Sequence, residues 1–310
     1  MAKPFFTIII VSYNAGWNLL KSVNSVLNQT CTDYRLIVKD GGSTDDSISQ
    51  LEQLLGVKAN TTTARNKFCI IQNEDNGIYD AMNVATKCMR EAGNEFNATD
   101  EMAAYHKGIS TECYNNSFVY FLGCGDYLSN EKVLQRVHDG ILRHEERLGT
   151  CIPSIYYGDI RESITGQVVP SNPKINDFAC YRNVPSHQAC FYDDRLIYDE
   201  TFITRYSVRA DYEHFLRCYY NEKAQTVYMK FQVADYMGGG FSETKENRVK
   251  SENERKEIIS MYLPKSKIMK YDFIRYATLA PLRTKIAENP ATAKVYNNIK
   301  KAVYKLKGKK

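Results

Sequence analysis

Four times before residue 150, a short run of branched and aromatic side chains gives way to a polar turn. Each turn leads into a stretch whose apolar residues recur three and four apart. The runs are 5–11, 35–39, 68–72 and 118–122. Apolar almost without interruption, they have the pattern of strands buried on both faces. The spacing of Trp17, Leu20, Val23 and Leu27 predicts a helix, as does that of Ile48, Leu51 and Leu55. Two more are expected over 77–92 and about 129–148. Ser43, with Asp46 three residues on, has the form of a capping box opening the second helix. Strand–helix units in series predict an α/β fold: a Rossmann-like, mostly parallel sheet with helices on both faces. Residues 94–116, polar and poor in branched aliphatics, have the character of a surface insertion. Beyond Gly149 the alternation loosens to strands at 155–157 and 226–233 and a helix at about 208–220. A glycine run at 238–240 forms either a tight turn or a loop that closes over a ligand.

With 43% hydrophobic and 25% charged residues, the 310-residue chain has a globular makeup, which excludes wholesale disorder. The longest strongly apolar run, 5–11, falls well short of the ~20 residues a membrane-spanning helix needs. Nine cysteines, odd in number and without paired short spacing, fit neither a disulfide framework nor a zinc site. They point to reduced thiols and a cytoplasmic location. The start mimics a short signal peptide but lacks a small-residue cleavage site, so it is expected to be the first strand.

In an open parallel sheet, ligands bind in the crevice at the carboxyl ends of the strands. Ser12-Tyr13-Asn14, Asp40-Gly41-Gly42, Asn73-Glu74-Asp75-Asn76-Gly77 and Gly123-Cys124-Gly125-Asp126 leave the four strands in turn. Tyr13, Asp40, Asp75 and Asp126 are therefore expected along one edge. Taken singly, each has a plainer reading: Asp-Gly-Gly is ordinary turn chemistry, and Asp126 suits a cap. Asp80 suits the positive end of a helix. No Gly-x-Gly-x-x-Gly follows the first strand, which argues against a dinucleotide oxidoreductase, and there is no P-loop.

Phe-Thr-Ile-Ile-Ile-Val-Ser-Tyr-Asn (6–14), Ser-Val-Leu-Asn-Gln-Thr (25–30) and Leu-Ile-Val-Lys-Asp-Gly-Gly-Ser-Thr-Asp-Asp (36–46) together resemble family 2 glycosyltransferases of the GT-A fold. Glu-Asp-Asn-Gly-Ile-Tyr-Asp-Ala-Met-Asn (74–83) and Phe-Leu-Gly-Cys-Gly-Asp (121–126) resemble the branch that makes bacterial surface polysaccharides. Pro-Ser-His-Gln-Ala-Cys-Phe-Tyr (185–192), Ala-Asp-Tyr-Glu-His-Phe-Leu-Arg (210–217) and Gly-Gly-Phe-Ser (239–242) continue the likeness over about 4–245. It implies a catalytic domain over 1–245, with a nucleotide-binding half, 1–127, and an acceptor-binding half, 128–245. A helical, basic extension occupies 246–310.

The resemblance implies that Val11, Tyr13, Asp40, Asp75 and Asp80 hold the nucleotide sugar. Tyr13 would stack on the base, and Asp40 would accept the uracil imide N–H. Asp126 takes the metal position for Mn²⁺ or Mg²⁺, with Cys124 and Gly125 replacing the rest of the usual Asp-x-Asp. Asp211 matches the general base of inverting members; Glu213 and Arg217, four apart, suit a surface ion pair instead. His187 and Gln188 match a pair on the acceptor side, although an isolated histidine also suits a structural role. The expected reaction is inverting transfer from a UDP-sugar to a hydroxyl of a lipid-linked or polysaccharide acceptor. The rival readings are a non-catalytic nucleotide-sugar sensor and, less suited to 210–217, a nucleotidyltransferase.

The net charge of +5 conceals an asymmetry. Of 41 Lys/Arg and 36 Asp/Glu, 13 and 2 fall in 261–310, a net of +11 that leaves −6 on residues 1–260. Val295, Ile299, Val303 and Leu306 recur at helical spacing among lysines, the pattern of a helix lying in an anionic membrane surface. Residues 290–310 are thus expected to dock peripherally on the inner leaflet, or else to form a core-covering helix with a lysine-rich end. No recognised nucleic-acid-binding module is present.

Overall fold

The computed structural model describes residues 3–93, 116–198, 200–238 and 244–278. Most of the expected insertion, the stretch 239–243 and the lysine-rich tail lie outside the described residues. The chain divides into two units, 1–258 and 259–310.

In the first unit, all four expected strands form: β1 (Phe6–Ser12), β2 (Tyr34–Asp40), β3 (Phe68–Gln72) and β4 (Phe118–Gly123). The helices between them are α1 (Trp17–Leu27), α2 (Ser47–Leu55) and α3 (Ile78–Gly93). The strands lie parallel in the order β3-β2-β1-β4. Every residue of β1 and β2 is buried, including Arg35, Lys39 and Asp40 of β2. Phe6, Ile8, Ile10, Leu36, Val38, Tyr120 and Leu122 share a core with Leu19, Leu20, Val23 and Val26 of α1 and Leu51 of α2. Helix α3 packs against β1 and β2.

Two local expectations are corrected. Helix α2 begins at Ser47, with no side-chain cap from Asp46, because Ser43 gives its hydroxyl to Asp40 instead. Trp17, expected on the apolar face of α1, is 70% exposed. As the first helical residue it has no preceding turn to lie over.

Beyond β4 come β5 (Tyr127–Leu128), α4 (Val133–Leu148), β6 (Ser154–Glu162), β7 (Gln167–Val169) and α5 (Asp177–Arg182). The chain continues through β8 (Cys190–Asp193), α6 (Ala210–Tyr220), β9 (Gln225–Tyr236) and α7 (Lys245–Tyr262). The sheet runs on as β4-β8-β6-β9-β5, with β7 paired to β6. Pairing here is mixed: β8 is antiparallel to both neighbours, while β6 and β9 are parallel. The second unit contains the end of α7 and α8 (Lys265–Ala277), which has no buried residue. Among the described residues no helix is long and apolar enough to cross a membrane. Among the described residues seven cysteines are free thiols, but Cys151 is disulfide-bonded, which corrects the expectation of reduced thiols throughout.

Candidate active site

Sheet register brings the polar turns together. Ser12 pairs with Asp40, Asp40 with Gln72, and Val11 with Gly123, so the four parallel strands stop on one line. A cleft of about 940 Å³ opens there, lined by Val11, Tyr13, Gly41, Asp75, Tyr79 and Asp80, among others. Two adjacent turns are cross-linked: Asn14 N–H donates to Ser43 Oγ (2.7 Å), and Thr44 N–H to Asn14 Oδ1 (2.9 Å).

Asp40 ends β2 fully buried and does not line the cleft. Its Oδ1 accepts from Gly42 and Ser43 N–H (3.1 and 2.7 Å) and its Oδ2 from Ser43 Oγ (2.6 Å). The carboxylate thus serves its own turn. Asp75 instead lies in the cleft wall, its Oδ1 accepting from Gly77 N–H (3.0 Å). Lys39, which the sequence pattern did not single out, is wholly buried and donates to Asp40 O (2.8 Å), Asn73 O (2.9 Å) and Asp75 Oδ2 (2.6 Å). All three of its N–H donors are satisfied, and the ends of β2 and β3 are clasped around one carboxylate. Gly41 permits that approach: a Cβ there would fall 2.9 Å from Asp75 Oδ2 and 3.2 Å from the Tyr13 ring. Tyr13 is 66% exposed at the rim. Asp80 lines the cleft and also accepts from Asn76 N–H (2.8 Å), near the start of α3.

The other carboxylates lie outside the cleft lining, tied together by one short turn. His187 and Gln188 are consecutive in a 3₁₀ turn, His187–Ala189. Gln188 Nε2 donates to Asp126 Oδ2 (3.0 Å), while His187 Nδ1 lies 3.4 Å from Asp211 Oδ2. Asp126 Oδ1 accepts from Met237 N–H (2.9 Å). Burial pushes the Asp126 carboxyl above its ordinary value, against the Met237 and Gln188 hydrogen bonds and the charges of His187 and Lys21. Helix α1 holds the turn from below: Ser22 Oγ donates to Asp126 O (2.7 Å) and accepts from Gly125 N–H (2.8 Å). Gly123 leaves room for the carboxylate, since a Cβ there would lie 2.7 Å from Asp126 Oδ2.

Asp211, in the first turn of α6, keeps 26% of its side chain exposed. Tyr79, which lines the cleft, places its hydroxyl 3.0 Å from both Asp211 Oδ1 and Val208 O, the two acceptors for its one proton. Burial alone would push the Asp211 carboxyl up. The His187 hydrogen bond and charge, the Arg209 charge and the Tyr79 hydroxyl outweigh it and hold the group below the usual carboxylate range. The start of α6 is anchored by Glu254 of α7, whose carboxylate accepts from the N–H groups of Ser207, Val208 and Arg209 (3.1, 3.0 and 2.9 Å). Glu213 is buried and pairs with Arg217 (3.3 Å), an interior pair rather than the expected surface one.

Metal donors are sparse. Among the described residues no group of three or more His, Cys, Asp or Glu side chains is placed to hold an ion. Burial pushes the Cys124 thiol up to about 12. The Nε2 of His187 is buried with no protein partner.

The family model described as Glycosyl transferase family 2 matches residues 7–92. A PGL/p-HBAD biosynthesis glycosyltransferase of Mycobacterium bovis (strain BCG / Pasteur 1173P2) is 30% identical over 247 residues, 79% of this chain and 81% of that protein. The same figures hold for its namesake from Mycobacterium tuberculosis (strain ATCC 25177 / H37Ra). Among solved structures, S. aureus TarS 1-349 matches with a TM-score of 0.55 at 17% identity, over 87% of this chain and 69% of that one. TarS 1-349 in complex with UDP gives 0.53 over the same shares. The fold is GT-A, and the extent of identity with the mycobacterial enzymes places the chain in glycosyl transferase family 2.

Proposed function

We propose that this glycosyltransferase moves a sugar from a UDP-sugar to a hydroxyl of a lipid-linked or oligosaccharide acceptor, with inversion at the anomeric carbon. The observation that carries the reading is Asp211: a part-exposed carboxylate, held ionised and hydrogen-bonded to a tyrosine of the nucleotide-sized cleft. An ionised oxygen at that position accepts the acceptor's hydroxyl proton as that hydroxyl attacks the anomeric carbon. The nucleoside diphosphate leaves from the opposite face. Tyr79, its hydroxyl pushed well above its ordinary value by burial and the nearby Asp211 charge, stays protonated beside the base. His187 orients the second oxygen.

At the other end, Tyr13 stacks on the base. Asp75, which lines the cleft where the fully buried Asp40 does not, accepts the uracil imide N–H in place of Asp40. The UDP complex of TarS, a protein of the same fold, favours this choice of nucleotide. A divalent cation, Mn²⁺ or Mg²⁺, belongs to the same reading. Asp126 is the side chain that would hold it, diphosphate and water supplying the rest. When bound, it neutralises charge on the departing diphosphate.

The experiment is a donor screen: thermal shifts with UDP-glucose, UDP-galactose and their N-acetyl forms, with and without Mn²⁺, followed by transfer assays on the donors that stabilise. A UDP-sugar is expected to raise Tm and to turn over. Stabilisation by another nucleoside diphosphate, with none by UDP-sugars, overturns the donor assignment.

A further inference from the structure

Helix α8 presents an apolar stripe to solvent. Met269, Phe273 and Tyr276 are 70, 74 and 68% exposed and recur four and three residues apart, so they stand one above another on one face. Leaving three large apolar side chains uncovered costs hydration free energy unless something apolar meets them. The charges on the same helix indicate the occupant. Lys265 and Lys270 flank the stripe, and the helix carries Lys265, Lys267, Lys270 and Arg275 against Asp272 alone. The segment it belongs to, 261–310, carries a net charge of +11. Lys265 and Lys270 beside Met269, Phe273 and Tyr276 give the pairing of basic and apolar side chains found on a helix lying in the plane of a bilayer. There the apolar side chains enter the boundary between headgroups and acyl chains, and the basic ones reach anionic phosphates. A protein partner would meet the same stripe, but it would not by itself call for a one-signed field spread over fifty residues.

We propose that α8 is a docking surface for an anionic phospholipid bilayer, engaged through Met269, Phe273 and Tyr276 with Lys265 and Lys270 as the charged flank. This goes beyond the transfer reaction and does not depend on which acceptor is used. The surface differs from the one expected at 290–310, so the two are separable by mutation.

The test is co-sedimentation of the full chain with vesicles of phosphatidylglycerol in phosphatidylcholine, against phosphatidylcholine alone. Wild type is expected to sediment with the anionic vesicles, and to be released by raised salt. Met269→Ser with Phe273→Ser, and separately Lys265→Glu with Lys270→Glu, are each expected to weaken that binding by about tenfold or more. Both variants are expected to keep the wild-type Tm and the wild-type stabilisation by nucleotide, since α8 has no buried residue to lose. Failure of wild type to bind, or variants that bind as wild type does, overturns the proposal. So does a concentration-dependent dimer that the serine variant dissolves without any vesicle binding.

Discussion

Asp211 and Asp126 are held by neighbouring side chains, His187 and Gln188, so one turn sets the position of the proposed base and of the proposed metal ligand together. Asp211→Asn removes the proton acceptor while keeping its size and the Tyr79 contact. Transfer is expected to fall about 10²–10⁴-fold with donor affinity intact; lost affinity with surviving transfer would refute the base assignment. Because Asp211 is held below the usual carboxylate range, the acid limb of kcat/KM for wild type is expected at lower pH than an ordinary aspartate would give. Lys39 makes a second residue-scale case. Its buried ion pair with Asp75 presents a fixed carboxylate to the cleft, and removing one partner of such a pair costs about 3–5 kcal/mol. Lys39→Met is therefore expected to lower both the urea midpoint and donor affinity. Adding Asp75→Asn is expected to restore stability but not affinity, since the imide N–H then meets a neutral amide oxygen in place of a carboxylate. Equal destabilisation by the single and double variants would show that the pair does not act as a unit.

Among the elements, α6 is useful to chemistry only because α7 pins its start. Glu254→Ala leaves the N–H groups of Ser207, Val208 and Arg209 without their acceptor. The expected cost is on the order of 3 kcal/mol, with kcat reduced as Asp211 loses its fixed position. Glu254→Gln, which keeps one acceptor oxygen, is expected to fall between the two. Calorimetry and initial rates check this, and an unchanged Tm in the alanine variant would contradict it. The same contact shows where sequence reading stops. β1 to β4 were legible because each is a continuous apolar run followed by its own turn, and the carboxylates could be placed because they end those runs. β5, β7 and β8 have two, three and four residues, too few for any periodicity to register. Ser43 misled because a serine before a helix suits a cap, while here a closer carboxylate takes its hydroxyl. The side chains that hold the site pair across long stretches of chain, 36 residues for Lys39 with Asp75, 62 for Gln188 with Asp126 and 46 for Val208 with Glu254. Local spacing carries no trace of them.

For the whole molecule, charge and burial together set the response to pH. Residues 1–260 carry a net −6, yet several of their ionisable groups are buried where charge is unwelcome. His214 has the clearest consequence. It lies wholly buried in α6, with Nε2 donating to Leu196 O (3.0 Å), and burial pulls its pKa down to about 4. The unfolded chain takes up this proton near 6.5, and the folded chain not until about 4. His214 therefore costs nothing above pH 6.5, and stability is lost as pH falls through the window from 6.5 to about 4. One proton changes the slope by about 1.4 kcal/mol per pH unit, roughly 3 kcal/mol across the window. The buried carboxyls of Asp126, Glu145 and Asp194, all raised by burial, act in the opposite sense: their protonation on acidification favours the folded state. The total slope thus mixes both effects, and a variant is needed to separate them. His214→Gln keeps a donor for Leu196 O and cannot titrate. Between pH 7 and 4.5, urea midpoints are expected to fall less steeply for this variant than for wild type, by about one proton's worth of slope. Parallel curves would mean that His214 is not the group that loosens the fold in acid.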